Sequence, residues 1–396
     1  MEIRTANRVN DLFESVIRST SVHAMSCGAI SLGQGSPDFD PPEELIEAAR
    51  LALSEGHHQY VPTWGLPELR NAISKKTARF YGFQPDPETE VTVTCGVTEG
   101  VIAALIGVVD KGDRVVILEP AHENYHAGVV FAGAEPLWVP IRPPDYGLDL
   151  DELERAFQQP KVRAFIFNTP HNPTGRVFNR EELSFIADLC QKYGVIAISD
   201  EIYEHMVYDD CEHIPIVTLP GMADRTITIS GLSKSYSVTG WRVGYVTAPS
   251  LLTEALRKVH DFTTICAPSP LQRAAVVALE LNDDYYAWLT AYYTDRREQM
   301  LGILTRSGFE PSVPEGSYYT MATFSAVSAA FGLNDDDNEF VYWLIDEIGI
   351  GTVPGSSFYR SDPELGRGRV RFAFPKRDET LIEVDQRFEK IRDQLH

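Results

Sequence analysis

Short apolar runs punctuate the chain between residues 91 and 249. They are VTVTC (91–95), RVVILEP (114–120), RAFIFNTP (163–170), GVIAISDE (194–201), RTITIS (225–230) and VGYVTAP (243–249). Each has the length and β-branched character of a buried strand. The earlier ones are separated by stretches whose apolar residues recur at helical spacing, as in REELSFIADLCQKY (180–193). Strands alternating with helices predict an α/β fold: a mostly parallel sheet covered by helices on both faces, with ligands at the carboxyl ends of the strands. Beyond residue 250 the texture changes. LLTEALRKVHDF and YYAWLTAYYTDRREQMLGILTRSG predict long helices, GRVRFAF (368–374) a strand of a smaller α+β domain, and DETLIEVDQRFEKIRDQL a closing helix. The opening segment, with GQGSPDFDPP, reads as an arm crossing between domains.

At 396 residues, two domains are the default. The expected division is an arm with part of the small domain over 1–45, a large cofactor-binding domain over 46–285, and a small C-terminal domain over 286–396. The net charge of −22 leaves no basic patch to neutralise phosphates, which argues against nucleic acid and anionic membrane as partners. VIAALIGVV (101–109), the longest apolar run, is too short to span a bilayer. Five scattered cysteines without a CxxC pair suit a reducing compartment, and the N-terminus lacks a secretory h-region, so a cytoplasmic location is expected and no metal site. The acidic run NDDDNE (334–339) reads as a solvated loop or helix start.

The chemistry sits at the strand ends. TCGVTEG places a helix start after a strand, where free amides of Val97 and Thr98 and the Thr98 hydroxyl suit an anion. NTPHNPTG puts Asn172 ahead of a proline, extended and aimed into a cleft. SDEIY ends an apolar strand on Asp200, which needs a cation or donor if buried, and Tyr203 follows one turn later. SGLSKSYSVTGWRVGY brings Lys234, between two serines, to the end of another strand, with Arg242 eight residues on. A desolvated lysine is a nucleophile that forms Schiff bases. Phosphate cradle, acid, amide, phenol, lysine and arginine together are the set that pyridoxal 5′-phosphate requires: the acid on the pyridine nitrogen, Asn172 and Tyr203 on the ring oxygen, Lys234 joined to the aldehyde carbon, Arg242 on the phosphate.

With these motifs the chain resembles the fold-type I pyridoxal-phosphate enzymes of the class I/II aminotransferase family, in particular the kynurenine, glutamine–phenylpyruvate and methionine aminotransferase subgroup. ISLGQGSPDFDPPEEL, QYVPTWGLPELR, NTPHNPTG, SDEIYEHMVYD, SKSYSVTGWRVGY, VPGSSFY and RVRFAF carry the likeness along nearly the whole chain. The resemblance implies an aspartate-aminotransferase-like architecture with a seven-stranded sheet. It also implies a homodimer with shared active sites, and transfer of an amino group from an L-amino acid to a 2-oxo acid. Tyr60 resembles the tyrosine that reaches the partner subunit's cofactor phosphate. Gly35 and Arg371, with Asn172, match the positions that hold the substrate α-carboxylate. Ser230 and Ser233 both lie where a hydroxyl joins the phosphate, and spacing does not choose between them.

Four departures stand out. His122 replaces the aromatic ring usual over the pyridine, Ala121 a bulky neighbour and Ser36 a phenylalanine, while Ile17 stands where phenylalanine is common. His122 either stacks on the ring or moves protons near the substrate. Ser36 and His122 thus join the candidate substrate-binding residues, and a wider pocket points to a polar amino acid. The same cofactor site also serves β/γ-eliminating lyases and cyclases acting on polar or hydroxylated amino acids such as hydroxyarginines. A sensor domain of a transcription regulator is the alternative of another class.

Overall fold

The computed structural model describes residues 3–12 and 14–395. A seven-stranded sheet forms its centre, in the order 91–94, 244–247, 226–231, 196–200, 162–168, 114–119, 135–140. All neighbours are parallel except 244–247, which runs antiparallel to both strands beside it. Every predicted strand forms, within two residues of its expected ends. The edge strand 135–140 was not anticipated. Its sequence, EPLWVP, begins on a partly exposed face and carries Pro136 and Pro140, and proline is tolerated at a sheet edge because it need not donate to a neighbour.

Helices cover both faces. Arg180–Tyr193 is closed at its start by a capping box between Asn179 and Glu182 and at its end by Gly194 in the left-handed conformation. Its apolar stripe, Leu183, Ile186, Ala187 and Cys190, joins Phe165, Phe167 and Ala197 from the sheet in one core cluster. The opposite face packs Val101, Ala104, Leu105 and Val108 of helix Gly96–Val108 against Ile117, Ile198, Ile227 and Val246.

A second sheet, antiparallel, has the order 353–354, 369–373, 319–323, 310–311. The 24-residue helix Asp283–Arg306 packs on it. The expected closing helix is two, Asp378–Arg387 and Glu389–Leu395, parted at Phe388, whose ring is buried in the core. The acidic run supplies Asp336, whose carboxylate caps helix Asp337–Trp343. The N-terminal segment joins this layer: helix Val16–Ser26 precedes a two-residue strand, 30–31, parallel to 350–351. His23 and Asp346 meet at 2.7 Å across that junction. From there the chain runs Leu32 alongside Ala373 and delivers Gly33, Gly35 and Ser36 to the space between the two sheets.

Candidate active site

That space is a cavity of about 280 Å³ at the carboxyl ends of strands 196–200 and 226–231. Gly35, Ser36, Val97, Thr98, His122, Asn172, Asp200, Tyr203, Ser233, Lys234, Arg242 and Arg371, all singled out in the sequence, line it.

Lys234 lies three residues past the end of its strand, in a turn. Its Nζ donates to the Gly35 carbonyl at 2.7 Å and sits over the rings of Tyr203 and Tyr318, at 6.0 and 5.7 Å. Burial pushes its pKa down, with the positive charges of Arg371 and Arg242 adding to the effect, so the uncharged, nucleophilic amine is easier to reach than in an ordinary lysine. Gly35 is a glycine for a steric reason: a Cβ there would fall 1.7 Å from the Tyr319 hydroxyl.

Asp200 is the last residue of its strand and is buried. Tyr125 donates to its Oδ2 at 2.8 Å and the Ile202 amide to its Oδ1 at 3.2 Å. Desolvation outweighs these donors and raises its pKa to about 6. Among the described residues no salt bridge supplies it with a cation. Asn168 clamps the region, donating to the Asp200 carbonyl at 2.7 Å and accepting from the Asn172 amide at 2.7 Å.

Arg371 is 1% exposed. Its Nη1 donates to Asn172 Oδ1 at 2.8 Å, its Nη2 donates to the Gly33 carbonyl, and its plane lies over the Tyr319 and Phe358 rings at 4.3 and 4.8 Å. Its Nε is buried without a partner, and no carboxylate pairs with it among the described residues. A guanidinium fixed in this way lacks an anion.

On the opposite side, helix Gly96–Val108 points its amino end at the cavity. Asn124 fixes the Thr98 hydroxyl at 2.8 Å. Arg242, itself left-handed at φ 56°, anchors on the Thr239 carbonyl at 2.9 Å. It packs so close to Gly96 that a Cβ there would come within 2.2 Å of Nη2. Two free amides, a hydroxyl and a guanidinium make an anion cradle. Ser233 lines it; Ser230 does not. The Ser230 hydroxyl donates to Glu204 at 2.6 Å, in a buried cluster where Lys76 pairs with the same carboxylate and Tyr81 donates to it at 2.6 Å. A buried carboxylate needs all its donors, so Ser230 is committed there.

His122 lines the cavity as the N-cap of helix Glu123–Ala132, its Nδ1 accepting from the Asn124 amide at 3.3 Å. Desolvation, then the charges of Arg371 and Lys234, push its pKa down to about 4. At neutral pH it is an uncharged ring with its proton on Nε2, which suits stacking better than proton transport. Ile17 lines the cavity with it. Tyr60 lies elsewhere, 78% exposed. Tyr125, Asn124 and Tyr319 were missed from sequence, and only the fold brings them to Asp200, Thr98 and Gly35; Asn168, missed too, lies four residues before Asn172 within NTPHNPTG.

The description "aminotransferase class I and II" matches residues 28–384. The chain belongs to the class I and II aminotransferases. It is 37% identical over 394 residues to the probable N-succinyldiaminopimelate aminotransferase DapC of Mycobacterium tuberculosis, covering 97% of both chains. The solved structure of N-succinyldiaminopimelate aminotransferase from that organism superposes with a TM-score of 0.93, over 98% of this chain and 100% of that one. The methionine aminotransferase of Escherichia coli K12 is 32% identical over 385 residues, 97% of this chain and 98% of the other. Human kynurenine–oxoglutarate transaminase 3 is 35% identical over 409 residues, covering 98% and 90%. The aminotransferase has the aspartate-aminotransferase-like fold of type I and uses pyridoxal 5′-phosphate to move an amino group between an amino acid and a 2-oxo acid. These relatives favour transfer over elimination, cyclisation or a sensor role.

The residues fit the cofactor. Asp200 lacks the cation that a protonated ring nitrogen provides, the cradle at Val97 and Thr98 suits its phosphate, and among the described residues Lys234 is the one lysine lining the cavity. When bound, the cofactor supplies an aldehyde for the amino group and a ring that takes up the electron pair left on the substrate's α-carbon.

No described helix is long and apolar enough to cross a membrane.

Proposed function

We propose that this aminotransferase accepts an L-amino acid with a polar side chain, seating the α-carboxylate on Arg371. The observation that carries this reading is the buried Arg371 guanidinium, pinned beside Asn172 with no carboxylate partner among the described residues. Gly35 and Asn172 complete the carboxylate site. Lys234 serves as nucleophile and as proton carrier at the α-carbon. Asp200 faces the ring nitrogen; the Asn172 amide and the Tyr203 hydroxyl face the ring oxygen. Val97, Thr98, Ser233 and Arg242 hold the phosphate. His122 lies against the ring. The side chain of the substrate then meets Ser36, His122 and Glu123, with Ile17 the apolar member. The reading is tested with amino donors and a 2-oxo acid acceptor, following the new amino acid by chromatography. Polar donors (glutamine, arginine, hydroxyarginines, with methionine as the intermediate case) should exceed leucine and phenylalanine by about tenfold in kcat/KM, the worth of one or two pocket contacts. A preference for the aromatic donor overturns the polar pocket, and product formed without any need for acceptor overturns transfer.

The unit of function in this reading is a homodimer. Its support is a surface at the same end of the large sheet: Tyr60 at 78% exposure, Phe262 at 92%, and Ile265 at 46% with a φ of 68°. A β-branched residue in the left-handed region is strained and calls for outside support. A second copy supplies it and brings Tyr60 to the neighbouring cradle. Light scattering across dilution should give twice the chain mass wherever activity persists; an active monomer rules the dimer out. The five cysteines, all free thiols, support a reducing compartment such as the cytoplasm.

A further inference from the structure

Behind the phosphate cradle lies a charged pair that the reaction does not use. Glu99 sits in the first turn of helix Gly96–Val108, next to the cradle residues Val97 and Thr98. His260, on helix Ser250–Thr263, is fully buried. Its Nδ1 lies 2.6 Å from Glu99 Oε1 and its Nε2 lies 2.7 Å from the Thr63 carbonyl. Glu99 is itself an acceptor at both oxygens. The Cys95 amide donates to Oε2 at 2.5 Å, the Thr263 hydroxyl to Oε1 at 3.3 Å, and the Thr264 hydroxyl to Oε1 as well. A carboxylate taking that many donors is ionised. The Thr63 carbonyl can only accept. Each ring nitrogen therefore faces an acceptor, and a neutral imidazole has one N–H to give.

A lone carboxylate in the first turn suits the helix but opposes an anion at the same amino end. Among the described residues, His260 is the one ion-pair partner of Glu99. We propose that His260 is held as an imidazolium whose charge cancels Glu99, so that the helix end at Val97 and Thr98 keeps its affinity for the cofactor's phosphate. This rests on the reading that the phosphate sits at that helix end. His260 is a positioning residue: it ties Thr63, in the segment that follows Tyr60, to the cradle helix without touching the cavity.

The other groups facing the imidazole are Asp261 on its own helix, which adds negative charge, and the Thr264 hydroxyl, 3.2 Å from Nδ1. Burial works against the His260 charge, but the hydrogen bond and charge of Glu99 outweigh it and raise the pKa. A raised histidine pKa means that the stabilisation is complete below the ordinary value of about 6.5 and is lost as pH rises through the raised value.

The test compares the binding of pyridoxal 5′-phosphate with that of pyridoxal, which lacks the phosphate, by equilibrium dialysis of the full-length chain. At pH 7, His260→Gln should weaken the phosphate ester about tenfold and pyridoxal less than about twofold. The double variant Glu99→Gln/His260→Gln should restore the ester to within about threefold, because it removes the repelling charge. A structural role predicts equal losses for both ligands and no rescue, and either result overturns the proposal. Arg242→Gln is the control for the cradle itself. If it too fails to separate the two ligands, the phosphate is elsewhere and the underlying reading fails. Should His260→Gln not fold, ¹⁵N-histidine spectra of the wild type decide. Both ring nitrogens protonated at pH 7.5 support the proposal; a neutral tautomer overturns it.

Discussion

Lys234→Ala should lose on the order of 10⁴-fold in kcat/KM, the upper range for removal of a residue that acts as nucleophile and proton carrier together. The local geometry makes substitution by a neighbour difficult. Lys234 is the lysine among the lining residues, and its Nζ is aimed by the Gly35 carbonyl at 2.7 Å. Lys376 approaches from outside, where its Nζ donates to the Ser36 carbonyl at 3.1 Å. Borohydride reduction of the cofactor-loaded wild type should therefore fix the cofactor on Lys234 alone, as read by peptide mass. In Lys234→Ala no peptide should carry it. A reduced adduct on Lys376, or turnover within about tenfold of wild type, would show that the amine acting on the α-carbon belongs to another residue. The lowered pKa adds a sign: activity that depends on the free amine rises with pH and then levels at a value below that of an ordinary lysine.

Much of this site could be read from the sequence because its residues mark the ends of strands. Asp200, Lys234, Asn172 and Thr98 each follow a buried apolar run, and in a parallel sheet those ends converge. What could not be read depends on distance along the chain. Tyr125 reaches Asp200 across 75 residues, and Tyr318 meets the Gly35 carbonyl across 283. No local pattern records such a meeting. The two serines beside Lys234 differ for a different reason. Strand 226–231 still includes Ser230, which faces the Glu204 cluster, whereas Ser233 lies in the turn that swings back to the cavity. A spacing of three residues changes side there because the backbone leaves the strand between them. The second sheet was only partly legible, since two of its strands are two residues long and offer no periodicity. Phe388 divides the last helix because its ring is drawn into the core, a tertiary effect on a sequence that reads as continuous.

The second large effect concerns Asp200. Asp200→Ala should slow transfer on the order of 10³-fold, roughly 4 kcal/mol of barrier. The carboxyl is buried, and with two donors on it, from Tyr125 and Ile202, its pKa still stands near 6 against an ordinary 3.8. That upward shift disfavours the folded carboxylate by about 3 kcal/mol, an order-of-magnitude figure. The sign follows for the chain without cofactor. Stability is greatest where the group is protonated, below pH 4, and this contribution is lost as pH rises through 6. In the proposed reading a positively charged ring nitrogen opposite Asp200 would reverse the penalty, so the residue would gain its favourable role only when the site is filled. Removing it should therefore harm catalysis far more than folding. Asp200→Asn, which keeps the shape and the Tyr125 contact but not the charge, should fall nearly as far in rate as Asp200→Ala. Thermal melts of the cofactor-free chain at pH 8 should show either variant no less stable than wild type by more than about 1 kcal/mol, since the desolvation penalty disappears with the charge. Steady-state rates and melts on the same preparations separate the outcomes. An Asp200→Asn variant within about tenfold of wild type would mean that the carboxylate's charge is not what the reaction uses. A large loss of stability without cofactor would mean that Asp200 holds the strand ends together through Tyr125.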